Sequence, residues 1–255
     1  MRVDRVFFSP TDDELEMILR DNALRAERAS NDFGGLDLRD ANFRREDLRF
    51  SCFDEANLEG ADFEGAELRG ARFVGASLWS SDFTEANLEN ADFRGANMQD
   101  AVFEGSFLVD ADMQYANISN SSFSQADMRH VNLGKAVMKH ANFYRADMRF
   151  AVLRGGNFEN ANFYGAKLNG VNLRDSEGKG ANFEVAEGKD ANLQGADLEF
   201  ACFRNAEFGG SSFVGADLQG ADCEYSDFKG GDFRWANLEG VSFEGSDLKW
   251  ADFDL

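Results

Sequence analysis

From Phe33 to Phe253 one pattern repeats every five residues without a slip of frame: a small residue, a polar one, a large apolar centre, then two polar or small residues. The centres run Phe33, Leu38, Phe43, Leu48, Phe53, Leu58 and onward to Leu248 and Phe253, 45 units in all. Of these, 20 are Phe, 22 are Leu, Met or Ile, one is Cys223 and two are Gly178 and Gly188, so almost every unit carries a side chain that must be buried. Alternation of polar and apolar positions is the mark of a half-buried strand, whose side chains point to opposite faces in turn. The fifth position is often Gly, Asn or Asp, residues that permit tight turns. A helical period of 3.6 residues cannot carry a period of five. One unit cannot bury its own centre, but stacked units bury a continuous column, and repetition at fixed period is the signature of a solenoid. Ala stands two residues before the centre in 29 units and Ser in 8, which implies an interior too narrow for two large side chains per unit.

Units such as Ala61-Asp62-Phe63-Glu64-Gly65, Ala66-Glu67-Leu68-Arg69-Gly70, Ala86-Asn87-Leu88-Glu89-Asn90 and Ala216-Asp217-Leu218-Gln219-Gly220 resemble the pentapeptide repeat family. The resemblance implies an all-β solenoid, a right-handed quadrilateral β-helix with four units per coil, and hence about eleven coils here. On that plan the alternation of Phe and Leu from Phe33 to Phe93 puts Phe on two opposite walls and Leu on the other two.

Two segments are expected: residues 1–30 as an N-terminal cap and residues 31–255 as the repeat solenoid. Val3, Val6, Phe7 and Phe8 form a short apolar segment, and Thr11 with Glu14 reads as a capping box. Leu15, Ile18 and Leu19 then give a helix an apolar stripe. The chain stops in register at Trp250, Phe253 and Leu255, and the uncapped end predicts a homodimer through the C-terminal coils. Three cysteines at unrelated positions imply no disulfide framework. With no apolar run long enough for a membrane and no signal peptide in view, a cytoplasmic location is expected.

The formal net charge is −21, and it is uneven. Residues 1–112 are net −14, residues 113–174 net +5, and residues 175–255 net −12, which places a basic belt between two acidic ends. An acidic edge is expected on two adjoining walls: Glu59, Glu199 and Glu239 on one, and Asp62, Glu64, Glu104, Asp222, Glu224 and Glu244 on the next. A column of Asp and Glu beside a column of Arg and Lys, from Asp47 and Arg49 to Asp247 and Lys249, suggests cross-strand pairs that neutralise another wall.

Duplex DNA carries one phosphate charge per ~1.7 Å of axis, so a rod this acidic lies within a factor of two of DNA in charge per length. Such a rod repels nucleic acid and competes for basic DNA-binding grooves. The family resemblance extends this to a DNA mimic that binds a type II topoisomerase such as DNA gyrase or topoisomerase IV, with protection from quinolones or related toxins. Two features depart from the gyrase-protecting branch: no loop interrupts the units, and the basic belt breaks the acidic surface. The alternative is a protein–protein scaffold or adaptor. His130 and His140 fall half a coil apart and cannot share a metal. No catalytic grouping, cofactor site or metal site follows from the register, so no enzyme activity is expected. Gly178 and Gly188 remove two large centres from one coil and suggest a narrowing, a hinge or a partner notch.

Overall fold

The computed structural model describes residues 31–254; the expected N-terminal cap and Leu255 lie outside the described residues. Each unit makes one parallel bridge to the unit 20 residues on, from Asp32 with Cys52 to Asp232 with Asp252 and without interruption. Four units therefore complete a coil. The first wall holds Phe33, Phe53 and their successors; the second begins at Leu38, the third at Phe43 and the fourth at Leu48.

One unit shows how the backbone is satisfied. Asp62 N–H donates to Ala41 O (2.9 Å) in the preceding coil, while Phe63 N–H and Gly65 N–H donate to Asp82 O (2.7 Å) and Thr84 O (2.8 Å) in the following coil. Ala66 N–H closes the corner on Phe63 O at 2.9 Å. That leaves Glu64 N–H, which donates to the Asp62 side chain, Oδ1, at 3.0 Å. The side chain before the centre thus supplies what the ladder cannot, and a buried or half-buried N–H needs such a partner. Asn or Asp fills that position in 29 of the 45 units, so the preference serves the backbone as well as the surface. Where Arg72 or Glu187 stands there instead, the neighbouring coil substitutes: Val74 N–H donates to Asp54 Oδ1 (3.0 Å) and Lys189 N–H to Asn169 Oδ1 (2.9 Å).

Every corner residue from Gly35 to Trp250 has positive φ, in 18 cases as Gly and in 26 as another residue. Only this third turn residue is left-handed, as in a type II turn. For an L-residue that conformation costs about 1–2 kcal/mol, a cost that burial of the adjacent centres must offset.

The core is a set of ring columns. Along the third wall Phe43, Phe63, Phe83 and Phe103 stack at 4.8, 4.7 and 4.7 Å, parallel to within 8°. The first-wall column Phe53, Phe73, Phe93 stacks likewise, and the two columns meet edge-on, Phe63 against Phe73 at 5.8 Å and 90°. Both arrangements suit the ring quadrupole and add about 0.5–1.5 kcal/mol per pair beyond area burial. The Ala and Ser residues two places before the centres are buried between the columns, except Ala236, Ser246 and Ala251, which are partly buried. Most buried Ser hydroxyls donate to main-chain carbonyls, for example Ser81 to Leu78 and Ser176 to Leu173, whereas Ser51 Oγ has no partner among the described residues.

Gly178 and Gly188 open no notch. Their bridges and backbone bonds are intact, and both residues are buried. The space is taken by Phe158, from the preceding coil on the second wall, and Phe208, from the following coil on the fourth. Both rings meet Phe183 edge-on at 6.0 Å. The expected narrowing is thus filled from both sides by rings larger than the Leu usual on those walls.

Candidate interaction surface

The nine acidic residues nominated from the sequence lie on the second and third walls, flanking one corner, but they do not form a continuous ribbon. Asp62 and Glu64 share Arg44, whose Nη1 lies 3.1 and 2.5 Å from their carboxylates. Asp222 and Glu224 share Arg204 in the same manner, at 3.0 and 2.6 Å. Arg44 and Arg204 are equivalent positions eight coils apart, so the third wall carries the same forked group twice.

Glu59 accepts from Ser77 Oγ (3.1 Å) and Glu104 from Ser122 Oγ (3.0 Å). Glu199 is paired with Lys179. Glu239 and Glu244 have no ion-pair partner among the described residues. From Ser122 to Asn182 the positions flanking the third-wall centres are uncharged. Asn162 donates to Asn142 at 2.9 Å, Asn182 donates to Asn162 at 3.3 Å, and Tyr144 stacks on Tyr164 at 5.7 Å.

The cross-strand pairing expected for the fourth wall is present in Arg69 with Glu89 at 3.5 Å and Lys189 with Glu207 at 2.9 Å, but other pairs of that wall form differently. Asp47 with Arg49, Asp127 with Arg129 and Asp147 with Arg149 are bidentate pairs within single units, spanning the centre, with Nη2–Oδ2 distances of 2.6, 2.7 and 2.6 Å. The reason is geometric. The two outward residues of one unit are two positions apart on the same strand face, and the Asp is already turned toward the N–H of the Arg. Elsewhere the same unit recurs as Asp37 with Arg39, Asp92 with Arg94 and Asp232 with Arg234.

These pairs hold their carboxyls below the usual range: Asp37, Asp47 and Asp232 chiefly through the Arg hydrogen bonds. For Asp92 and Asp147, burial pushes upward and is outweighed by those bonds. Five of the basic belt's eight bases have a carboxylate partner. Besides Arg129 and Arg149, Lys139 binds Glu159 at 2.8 Å, and Arg154 and Arg174 both reach Asp175 at 3.3 Å. Of the belt's other bases, Lys135 lies over the Tyr115 ring and Arg145 over Tyr144.

Asp62, Glu64 and Asp82 bring ligand oxygens within 4.8 Å of one another, but Arg44 already occupies the first two. Cys52 and Cys202 are half-buried and Cys223 is buried, all three as free thiols. Burial pushes the Cys223 thiol well above the ordinary range. His130 stacks on Phe150 at 5.4 Å on one corner, while His140 stands on the diagonally opposite corner. At the C-terminal end Trp250 is exposed beneath Lys229 and Lys249, 4.7 and 4.3 Å from its ring centre. Phe253 is partly buried and stacks on Phe233 at 5.1 Å.

The corner aromatics are the feature that a linear reading misses. Phe50, Phe150, Phe200 and Tyr225 each lean across a glycine in the next coil, Gly70, Gly170, Gly220 and Gly245. An ideal Cβ on those glycines would come within 2.5–2.7 Å of the ring. The signal is an aromatic corner followed, 20 residues later, by Gly.

The family model described as Pentapeptide repeats (8 copies) matches overlapping segments between residues 47 and 254. The chain belongs to the pentapeptide repeat family. Its members are right-handed quadrilateral β-helices and generally structural or interaction proteins, and no catalytic family is indicated. Among solved structures, the pentapeptide repeat protein HetL, involved in heterocyst differentiation regulation in the cyanobacterium Nostoc sp. strain PCC 7120, is 25% identical. That alignment covers 94% of this chain and 95% of HetL, with a TM-score of 0.47. QnrB1, a plasmid-mediated fluoroquinolone resistance protein, is 19% identical over 86% of this chain and 90% of its own, with a TM-score of 0.45. The two have different described roles, and similarity to both selects neither. No curated protein matches the chain. Among the described residues no helix is long and apolar enough to cross a membrane.

Proposed function

We propose that this pentapeptide repeat protein is a non-enzymatic acidic decoy that occupies the nucleic-acid groove of a DNA-binding protein, with a type II topoisomerase such as DNA gyrase or topoisomerase IV as the first candidate. The observation that carries the reading is the surplus of carboxylates over cations along a rigid rod. Residues 31–255 carry 40 acids and 21 bases. At about 4.8 Å per coil the solenoid from Phe33 to Phe253 is about 53 Å long, a length over which duplex DNA carries about 31 phosphate charges. The acids lie on the second and third walls, on both sides of the corner between them, and Glu104, Glu239 and Glu244 are exposed on those walls without a cation. A partner would be steered by charge, with association that weakens as salt rises.

The basic belt is compatible with this role because most of its bases are already paired. Resistance to a quinolone or toxin, and residence in the cytoplasm where such an enzyme works, belong to the same proposal. The adaptor reading draws on a separate observation, the exposed corner aromatics Phe200, Tyr225 and Trp235, which a charge decoy does not use.

The test is a gyrase supercoiling and drug-induced cleavage assay with purified protein, with and without a fluoroquinolone. The decoy alters one or both at micromolar concentration, and Glu104→Lys, Glu239→Lys and Glu244→Lys together abolish the effect without altering the melting curve. No effect on gyrase or topoisomerase IV at low salt would remove the topoisomerase proposal and leave the adaptor as the better account.

A further inference from the structure

Residues 50, 70, 90 and onward to 250 form a single corner, between the fourth and first walls, because each bridges or bonds to the coil 20 residues away. Three large aromatic side chains project from it: Phe50 (63% exposed), Phe150 (57%) and Trp250 (70%). Their spacing is equal. Each is a hundred residues from the next, five coils, or about 24 Å at about 4.8 Å per coil. Between them the corner carries small or polar residues: Gly70, Asn90, Asp110 and His130 in one interval, Gly170, Asp190, Gly210 and Gly230 in the other.

An isologous interface requires that if one residue meets another, the reverse also holds. A set of three equally spaced anchors meets that condition about its midpoint. We infer that this corner is a self-association edge, on which two copies lie antiparallel with a two-fold axis at Phe150. Phe150 then meets the partner's Phe150, and Phe50 meets the partner's Trp250.

The flanking chemistry both favours and opposes such a contact: Lys229 and Lys249, which lie over Trp250, border the edge and fall opposite the partner's Arg69 and the partner's Arg49. Val152, beside Phe150 on the first wall, meets its own copy at the axis. Arg49, Arg129 and Arg149 border the edge but are held in bidentate pairs by Asp47, Asp127 and Asp147, so they enter it as neutral units. Arg72, bound to Asp54, falls opposite the partner's Asp232, bound to Arg234, so both also enter as neutral units. Asp110 falls opposite the partner's Asp190, a repulsion added to that between two chains of net charge −21. A strip about 10 Å wide along the ~48 Å from Phe50 to Trp250 buries about 1,000 Å² over both copies, the lower bound of a specific interface. The dimer is therefore reversible, and salt strengthens it by screening repulsion. This opposes the salt dependence of the decoy contact. The edge is diagonally opposite the acidic corner, so pairing leaves both acidic surfaces facing outward and makes the decoy bivalent.

Sedimentation of the full chain at tens of micromolar tests this, together with a Phe150→Glu variant. Glu already occupies this left-handed corner position at Glu55 and Glu85 with φ of 58° and 57°, so the variant folds, which its circular dichroism and melting curve verify. The expected result is a dimer in the parent that grows with salt, and a monomer in the variant. Cysteine crosslinking reads the geometry, with Cys52→Ser and Cys202→Ser removing the accessible thiols. Phe150→Cys crosslinks to itself, whereas Phe50→Cys crosslinks only when mixed with Trp250→Cys. A monomeric parent at high salt, an undiminished dimer in Phe150→Glu, or equal self-crosslinking by Phe50→Cys would each overturn the inference. Because gyrase assays with the Phe150→Glu monomer read the acidic corner alone, failure of either proposal is seen separately.

Discussion

The Phe158 ring stands where a side chain on Gly178 would be: an ideal Cβ there falls 2.0 Å from Phe158 Cε2. Gly188 has the same relationship with Phe208, at 2.3 Å from Cε1. The two glycines therefore make room for rings that fill the coil.

Restoring the usual centre with Gly178→Leu should consequently lower stability, although on sequence it fills a gap. Overpacking of this kind costs about 1–3 kcal/mol. Adding Phe158→Leu should recover most of it, and the coupling between the two substitutions should be of order 0.5–3 kcal/mol. Urea midpoints of the two single variants and the double variant check this; additive effects would show that the ring does not fill that space.

Ser51→Ala should raise stability. The Ser51 hydroxyl is buried with no partner among the described residues, and leaving such a group unsatisfied costs about 1–3 kcal/mol. Ser176→Ala, which deletes a donor to Leu173 O, should lower it. The contrast in melting temperature between the two variants is the measurement, and a Ser51→Ala variant no more stable than the parent would contradict the assignment.

Val185→Gly should also stabilise. Val185 is β-branched and sits at φ 61° on an exposed corner. Release from the left-handed region gains about 1–2 kcal/mol, reduced by the greater freedom of Gly in the unfolded chain. A lower melting temperature would refute the strain argument.

Acid should weaken the fold in a defined window. Asp37, Asp47, Asp92, Asp147 and Asp232 all have folded pKa values below the ordinary carboxyl range. Their contribution is present above the unfolded carboxyl value of about 3.9 and is lost as pH falls through the lowered folded values. Melting temperature should hold from neutrality to near that value and then decline. Asp92→Asn keeps the acceptor for Arg94 N–H but not the ion pair, so at neutral pH it should melt below the parent by the ion-pair contribution and then show a correspondingly shallower acid decline. Asp92→Ala, which loses both, should cost about 1 kcal/mol at neutral pH. Equal neutral-pH stability of the two variants would show that the backbone bond contributes little.

The period of five identified the buried centres, and the alternation placed Phe on opposite walls because one side chain per unit has only one direction to point. What stayed hidden depends on contacts 20 residues apart. Phe158 explains Gly178, and Phe150 explains Gly170, only once the coils are stacked. Columns of opposite charge do pair between coils at Arg69 and Glu89, but the Asx bond that aims Asp47 at its own neighbour Arg49 is invisible in a charge count. The acidic edge was legible as composition, but its division into two groups needed the positions of Arg44, Arg204 and Lys179.

The Asx bond has an evolutionary corollary. Asn and Asp present the same Oδ1 to the same N–H, as Asn142 does for Tyr144 and Asp62 for Glu64. The exchange is isosteric and shifts formal charge by one at a position where either residue serves the backbone alike. A lineage could therefore recolour the rod from neutral to strongly anionic, site by site, while drawing on almost none of its stability margin. Partner choice in such a scaffold can drift far faster than its architecture.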